Sequence, residues 1–169
     1  MSTLSIRTAT PRDREAIRKV EEHAFGRRAE AALVDALVAA DEAVIELVAE
    51  DQGKVVGHIL FSRIRVRNGP REFPAVALAP LAVEPSFHRM GIGGSLIRAG
   101  HLRLEQAGEA LSVVLGDPAY YGRFGYSHAC AAGFTSDYQC DGLQALVWSH
   151  APSAGQLVYP SAFTTALAA

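Results

Sequence analysis

The residues Gly91-Ile92-Gly93-Gly94-Ser95 stand between a strand-like run and a helix-like run, where backbone N–H groups lack intrahelical partners. Such a helix start carries roughly half a positive charge, and glycines in it let a phosphate reach the backbone without meeting Cβ atoms. Gly-rich turns are also common as tight connections, so these residue types alone leave both readings open. A P-loop is excluded, because it needs Gly-Lys followed by Ser or Thr and no lysine stands near Gly94. The dinucleotide fingerprint needs a third glycine where this chain has Leu96, and it opens an alternating βαβ chain instead of following a hairpin.

The flanking patterns define the elements that position this turn. Leu4 to Thr8 alternates like a short strand, and Thr10-Pro11-Arg12-Asp13 begins a helix with Pro in its first turn. Ala16, Ile17, Val20 and Ala24 recur at helical spacing, as do Ala32, Leu33, Ala36 and Leu37 after the polar break at Gly26-Arg27-Arg28. Ile45–Glu50 and Val55–Ser62 form a hairpin about Asp51-Gln52-Gly53-Lys54, and Ala75–Val83 is a third long strand. Leu96, Ile97, Gly100, Leu104 and Ala107 share one face of a helix that ends near Gly108. Leu111–Leu115 suits a buried strand, reached through that helix and hence parallel to its predecessor. From Asp117 onward the chain predicts a short helix and one or two strands, of which Leu143–Trp148 is the clearest.

The stretch Leu81-Ala82-Val83-Glu84-Pro85-Ser86-Phe87-His88-Arg89-Met90-Gly91-Ile92-Gly93-Gly94-Ser95 resembles the acetyl-CoA site of the GNAT acetyltransferases, in which Gln or Arg is followed by two residues, Gly, any residue, and Gly or Ala. The second landmark of that family, Tyr, three residues, Gly, and Phe or Tyr, is matched by Tyr121-Gly122-Arg123-Phe124-Gly125-Tyr126. Leu115-Gly116-Asp117-Pro118 and Val158-Tyr159-Pro160 look like the bacterial YhbS-like branch of the family. The resemblance runs over roughly residues 4 to 165, with its specific part at 78–126. It implies an α/β (α+β mixed) fold of the acyl-CoA N-acyltransferase type, a mostly antiparallel sheet with one parallel, splayed strand pair flanked by helices, in one domain over residues 1–169. It also implies transfer of the acetyl group of acetyl-CoA to a primary amine, on a small molecule or a protein N-terminus or lysine, with acetyl-CoA as co-substrate and no metal.

Carried over residue by residue, the resemblance puts Leu81, Ala82 and Val83 beside the pantetheine arm, with the Val83 N–H near the thioester carbonyl. His88, Arg89, Met90, Gly91, Ile92, Gly93, Gly94 and Ser95 fall on the diphosphate turn, and Tyr121 is the catalytic proton donor to the sulfur. His88 departs from the family, which has Gln or Arg there, and a shorter imidazole predicts weakened or pH-sensitive cofactor binding. Pro85, without an N–H, marks where the strand stops pairing. Tyr120 reads as structural. No carboxylate stands on 111–115, so Glu84, Asp117 and His58 remain open as the base, as does an amine that arrives neutral. Glu21, Glu22, Phe25 and Gly26 to Ala29 match the acceptor loop, with the two acids better read as a solvated helix face. Arg63, Arg65 and Arg67 alternate on an exposed strand face. The missing base and His88 keep a second reading open, a CoA-binding sensor without turnover.

About half of the 169 residues are apolar and a fifth charged, enough for a sizeable core, and the net charge of −2 shows no basic stripe for nucleic acid. Met1–Arg7 lacks the pattern of a signal peptide and no apolar run approaches about 20 residues, which predicts a cytoplasmic protein with no membrane partner. Cys130 and Cys140 lack the paired spacing of a zinc site and read as reduced thiols. In the GNAT superfamily C-terminal edge strands commonly pair between subunits, which leaves a homodimer as an expectation.

Overall fold

The structure is a computed structural model that describes residues 4–167. The part of the leaderless-start reading that falls on Met1, Ser2 and Thr3 lies outside the described residues. Five strands enter the sheet in the order expected from their patterns: β1 (Leu4–Thr8), β2 (Ala43–Asp51), β3 (Lys54–Asn68), β4 (Arg71–Val83) and β5 (Leu111–Leu115). Helices α1 (Arg14–Phe25) and α2 (Ala29–Ala39) come between β1 and β2, and α3 (Ile92–Gln106) between β4 and β5. The Thr10-Pro11 start is a 3-10 turn, Pro11–Asp13, leading into α1. Gly108, at φ 85°, follows the end of α3 as the sequence pattern requires.

The main path of the sheet runs β1-β2-β3-β4-β5 and ends on β7 (Leu143–Val147), with every neighbour on it antiparallel except the β4–β5 pair, where Val76 to Leu78 face Ser112 to Val114. A right-handed crossover through α3 is the ordinary way to connect such a parallel pair. The C-terminal part holds more than the one or two strands expected. It contains α4 (Pro118–Tyr121), β6 (Phe134–Thr135), β7 (Leu143–Val147), β8 (Gly155–Val158) and α5 (Ser161–Leu167). β8 pairs with the far end of β3, Arg65 to Arg67, and α5 packs Phe163 into the core face shared with α1 and α2. On the opposite face, α3 places Ile92, Leu96, Ile97 and Leu104 against Leu47, Ile59 and Phe61. Among the described residues no helix is long and apolar enough to cross a membrane.

Pairing between β4 and β5 ends at Leu78 and Val114, although β4 continues to Val83. In the β3–β4 ladder three residues, Ile59 to Phe61, oppose four, Leu81 to Leu78, so β4 carries a bulge at Ala79-Pro80. Pro80 offers no amide there, which fits a strand that leaves its neighbour at that point. Pro85 instead ends the pairing with β3: Glu84 still donates to the Val56 carbonyl at 2.8 Å, and Pro85 opens a 3-10 turn. The divergence of β4 from β5 opens the sheet beside the start of α3.

Candidate functional site

The cradle is built by backbone conformation. Arg89 and Gly91 both have left-handed φ values, 67° and 77°, and turn the chain sharply into α3. Gly91 is the N-cap and supplies no side chain to cap the helix. Ser95 is the first residue whose amide bonds back within the turn, to the Gly91 carbonyl at 3.0 Å. The amides of Ile92, Gly93 and Gly94 therefore face outward without intrahelical acceptors. They open on a groove of about 560 Å3 whose wall includes Leu81, Ala82, Val83, His88, Arg89 and Gly91 to Gly94. Met90 is exposed, and neither it nor Ser95 lines this groove, so those two of the expected binding residues fall beside it.

Two further groove residues, Arg98 and Arg123, were given no binding role from the sequence. Arg98 lies one turn beyond Gly94 on the same side of α3, with its guanidinium carbon 4.9 Å from the Phe124 ring centre. Arg123 covers the same ring at 5.5 Å and the Tyr120 ring at 5.6 Å. Arg89, Arg98 and Arg123 thus bring three cations to the groove, of which Arg98 and Arg123 are held over aromatic faces that restrict their motion. The i+4 spacing of Arg98 from Gly94 was the available signal, whereas Arg123 depends on how the chain turns after α4. His88 folds back on the strand it follows, its Nε2 donating to the Val83 carbonyl at 2.9 Å. It acts here as a tether between the diphosphate turn and the end of β4.

A second cavity, of about 290 Å3, occupies the gap between β4 and β5. Ala77 to Leu81 and Val113 to Leu115 line it, together with Tyr121. Phe25 and Leu81 belong to the walls of both spaces, so the groove and the cavity meet at these two side chains. The Tyr121 hydroxyl has no hydrogen-bond partner among the described residues, and burial, aided by Tyr120, pushes its pKa up to about 12. A phenol in that state keeps its proton near neutrality and has it available for a partner in the cavity.

Adjacent tyrosines are divided between the two spaces. Tyr120 lines the groove and Tyr121 the cavity, with their rings edge to face at 5.0 Å. Tyr120 is therefore a wall of the groove and more than the packing residue expected from the sequence. Burial raises its phenol as well, against the opposing influence of Arg123 and Arg98.

The three candidate bases fare differently. His58 is fully buried, with Nδ1 2.7 Å from Glu21 and Nε2 2.8 Å from Glu46, and has no access to either space. This corrects both its reading as a base and the reading of Glu21 as part of a solvated face, since Glu21 is fully buried beneath α1 while Glu22 stays partly exposed. Helical spacing places Glu21 four residues after Ile17, at the edge of the buried face, where the opposing imidazole on β3 gives it a partner. Burial pushes His58 down, but its bonds to Glu21 and Glu46 outweigh that and hold it above its ordinary value. Asp117 caps α4 by accepting from the Ala119 amide at 3.0 Å. Glu84 is held by His23 Nδ1 at 2.9 Å at the mouth of α1. Arg63 also departs from expectation: it is half-buried in a two-pronged pair with Glu109, whereas Arg65 and Arg67 are exposed.

Comparison with known proteins follows the same lines. The family described as acetyltransferase (GNAT) domain matches residues 5–129, and the chain belongs to that family. It is 42% identical over 131 residues to the Escherichia coli N-acetyltransferase YjhQ, covering 75% of this chain and 71% of that protein. A GNAT family acetyltransferase from Brucella melitensis, solved in complex with acetyl-CoA, is similar at 37% identity with a TM-score of 0.81, covering 95% of this chain and 97% of that one. YhbS from Escherichia coli, solved in complex with CoA, has a TM-score of 0.85 at 28% identity, covering 97% of this chain and 93% of that one.

Proposed function

We propose that this N-acetyltransferase binds acetyl-CoA along the arginine-lined groove and passes the acetyl group to a primary amine held in the adjoining cavity. The observation that carries this reading is the meeting of the two spaces at Phe25 and Leu81, with outward-facing helix amides on one side and an unpartnered phenol on the other. The amides of Ile92 to Gly94, with Arg89, Arg98 and Arg123, suit a diphosphate. Leu81 to Val83, unpaired to β5, suit the pantetheine arm. The complexes of the Brucella melitensis protein with acetyl-CoA and of YhbS with CoA support that assignment.

In the transfer, the neutral amine nitrogen bonds to the thioester carbonyl carbon as the carbon–sulfur bond breaks. The nitrogen gives its proton to water, and Tyr121 gives its proton to the departing sulfur and is reprotonated from solvent. The products are an acetamide and CoA thiol. His58 is too deeply enclosed to deprotonate the amine, so an amine that enters as its ammonium gives that proton to solvent water before it attacks. The exposed, unlinked Cys130 and Cys140 support a reducing compartment such as the cytoplasm.

A titration with acetyl-CoA tests this directly: the melting temperature rises with ligand, and NAD or ATP raise it less. A panel of amines then identifies those that release CoA thiol. A melting temperature unmoved by acetyl-CoA ends the reading.

A further inference from the structure

The proposed acceptor cavity has a composition that narrows the amine. Five aromatic rings line it: Phe25, Tyr121, Tyr138, Tyr159 and Phe163 among aliphatic strand residues. Tyr159 stacks edge to face on Tyr138 and on Phe163, both at 5.1 Å, so that wall is a continuous aromatic surface. One charged side chain faces the cavity among the described residues, the buried Glu30 in the first turn of α2. Arg27 binds both of its oxygens from outside the cavity wall. A carboxylate has about four acceptor positions, so a further donor can still be received. No Lys, Arg or His lines the cavity among the described residues.

These features separate classes of amine. A substrate carboxylate or phosphate would be desolvated with no countercharge, which is costly for free amino acids and phosphorylated amines. A polyamine would bring two or more ammonium groups to a site with one carboxylate. A peptide needs partners for its backbone amides, which aliphatic and aromatic walls do not offer. An ammonium on a compact apolar body satisfies each element: the carboxylate receives the charge, aromatic faces surround it, and the remainder replaces water against hydrocarbon. The cavity volume, at the low end for ligand sites, sets the size.

The walls that make this choice lie largely outside the family match. Tyr138, Tyr159 and Phe163 follow residue 129, where that match ends, and reach the cavity from the loop after β6, the end of β8 and α5 respectively. A general acetyl-transfer core is thereby closed by a C-terminal segment that gives it its own selectivity.

We infer that the acceptor is a primary amine carried on a single aromatic ring or a similarly compact apolar skeleton, captured as its ammonium form by Glu30 within the Phe25–Tyr159–Phe163 wall. This rests on the reading of the cavity as the acceptor site. Glu30 is a positioning residue: it receives the ammonium through the acceptor positions that Arg27 leaves open and takes no part in the proton transfers. Its loss acts on capture of the amine and leaves the acetyl transfer from bound substrate unchanged.

The test compares phenethylamine, spermidine and a lysine-containing peptide as acceptors, following CoA thiol release by the full chain with saturating acetyl-CoA. Acetyl-CoA stabilisation is measured on the same samples. Phenethylamine is expected to have the highest kcat/KM. Glu30→Gln is expected to raise its KM by roughly 10- to 100-fold, the size of one lost bond to a charged group, with little change in kcat. The Phe163→Leu variant, which keeps an apolar side chain, is expected to raise KM for phenethylamine more than for spermidine. Preference for spermidine or the peptide, or an unchanged KM in Glu30→Gln, overturns the inference. If acetyl-CoA still stabilises the protein in that case, only the acceptor assignment falls. If it does not, the reading of the groove falls with it.

Discussion

The hydroxyl of Tyr120 lies 2.7 Å from the position a Cβ at Gly93 would take, while Leu81 and Val83 approach the same point at 3.8 and 3.9 Å. The first turn of α3 is thus closed on one side by a phenol and left open on the other, with room for a ligand against bare backbone. Gly93→Val puts branched carbon into that room. The Tyr120 side chain can move aside at small cost, so the fold is expected to persist. Stabilisation by acetyl-CoA is expected to disappear, because the new side chain stands between the phosphates and the amides. An unaltered melting shift would show that the turn is not the cradle.

Tyr121→Phe keeps the ring packing and removes only the proton. Turnover is expected to fall by roughly 10²- to 10⁴-fold, the size of a lost general acid, with acetyl-CoA affinity nearly unchanged. Because the phenol is raised to about 12, its ionisation cannot shape the wild-type rate profile near neutrality. Equal turnover in the variant would make Tyr121 a packing residue.

Arg98 and Arg123 have a different signature. Replacing both with Ala removes two cations that lie over Phe124. Affinity for acetyl-CoA is expected to fall by about 10- to 100-fold, and the dependence of binding on salt to weaken. Equal affinity at low and high salt in the wild type would contradict a phosphate role for either arginine.

Two buried histidines tilt stability with pH in opposite directions. His101 is pushed down to about 4 by burial and sits 2.9 Å from the Tyr126 hydroxyl. Its neutral form is favoured in the folded state, so its contribution is whole above the ordinary histidine value of about 6.5 and is lost as the pH falls from there towards 4. His58 is held above its ordinary value, so its contribution is whole below about 6.5 and is lost as the pH rises through its folded value. Melting temperature against pH is therefore expected to be highest in between. His101→Gln should flatten the acid limb, and His58→Asn should flatten the alkaline one while costing about 3–5 kcal/mol overall by stranding Glu21, whereas Glu46 keeps Arg14. An alkaline limb unchanged by His58→Asn would refute the charged state assigned to that imidazole.

The parts legible from the sequence are those set by local pattern. β2 and β3 were readable as apolar runs about the Asp51–Lys54 turn, and α3 from its helical period, because these signals lie within single elements or a local turn. The Gly91 to Gly94 turn was readable because helix ends expose amides whatever surrounds them. What was not legible depends on pairing between distant elements. Glu21 turns to the buried face of α1 and Glu22 does not, and what receives Glu21 there is His58, thirty-seven residues away on β3. Arg63 leaves the exposed face because Glu109 arrives after α3. Glu30 and the Tyr138–Tyr159–Phe163 wall meet across segments whose spacing in the chain carries no period.

A structure of the protein with acetyl-CoA bound is the most direct measurement. The diphosphate is expected on the amides of Ile92, Gly93 and Gly94, and the sulfur within hydrogen-bond reach of the Tyr121 hydroxyl. A ligand lying elsewhere, or one whose sulfur points away from the space between β4 and β5, would contradict it.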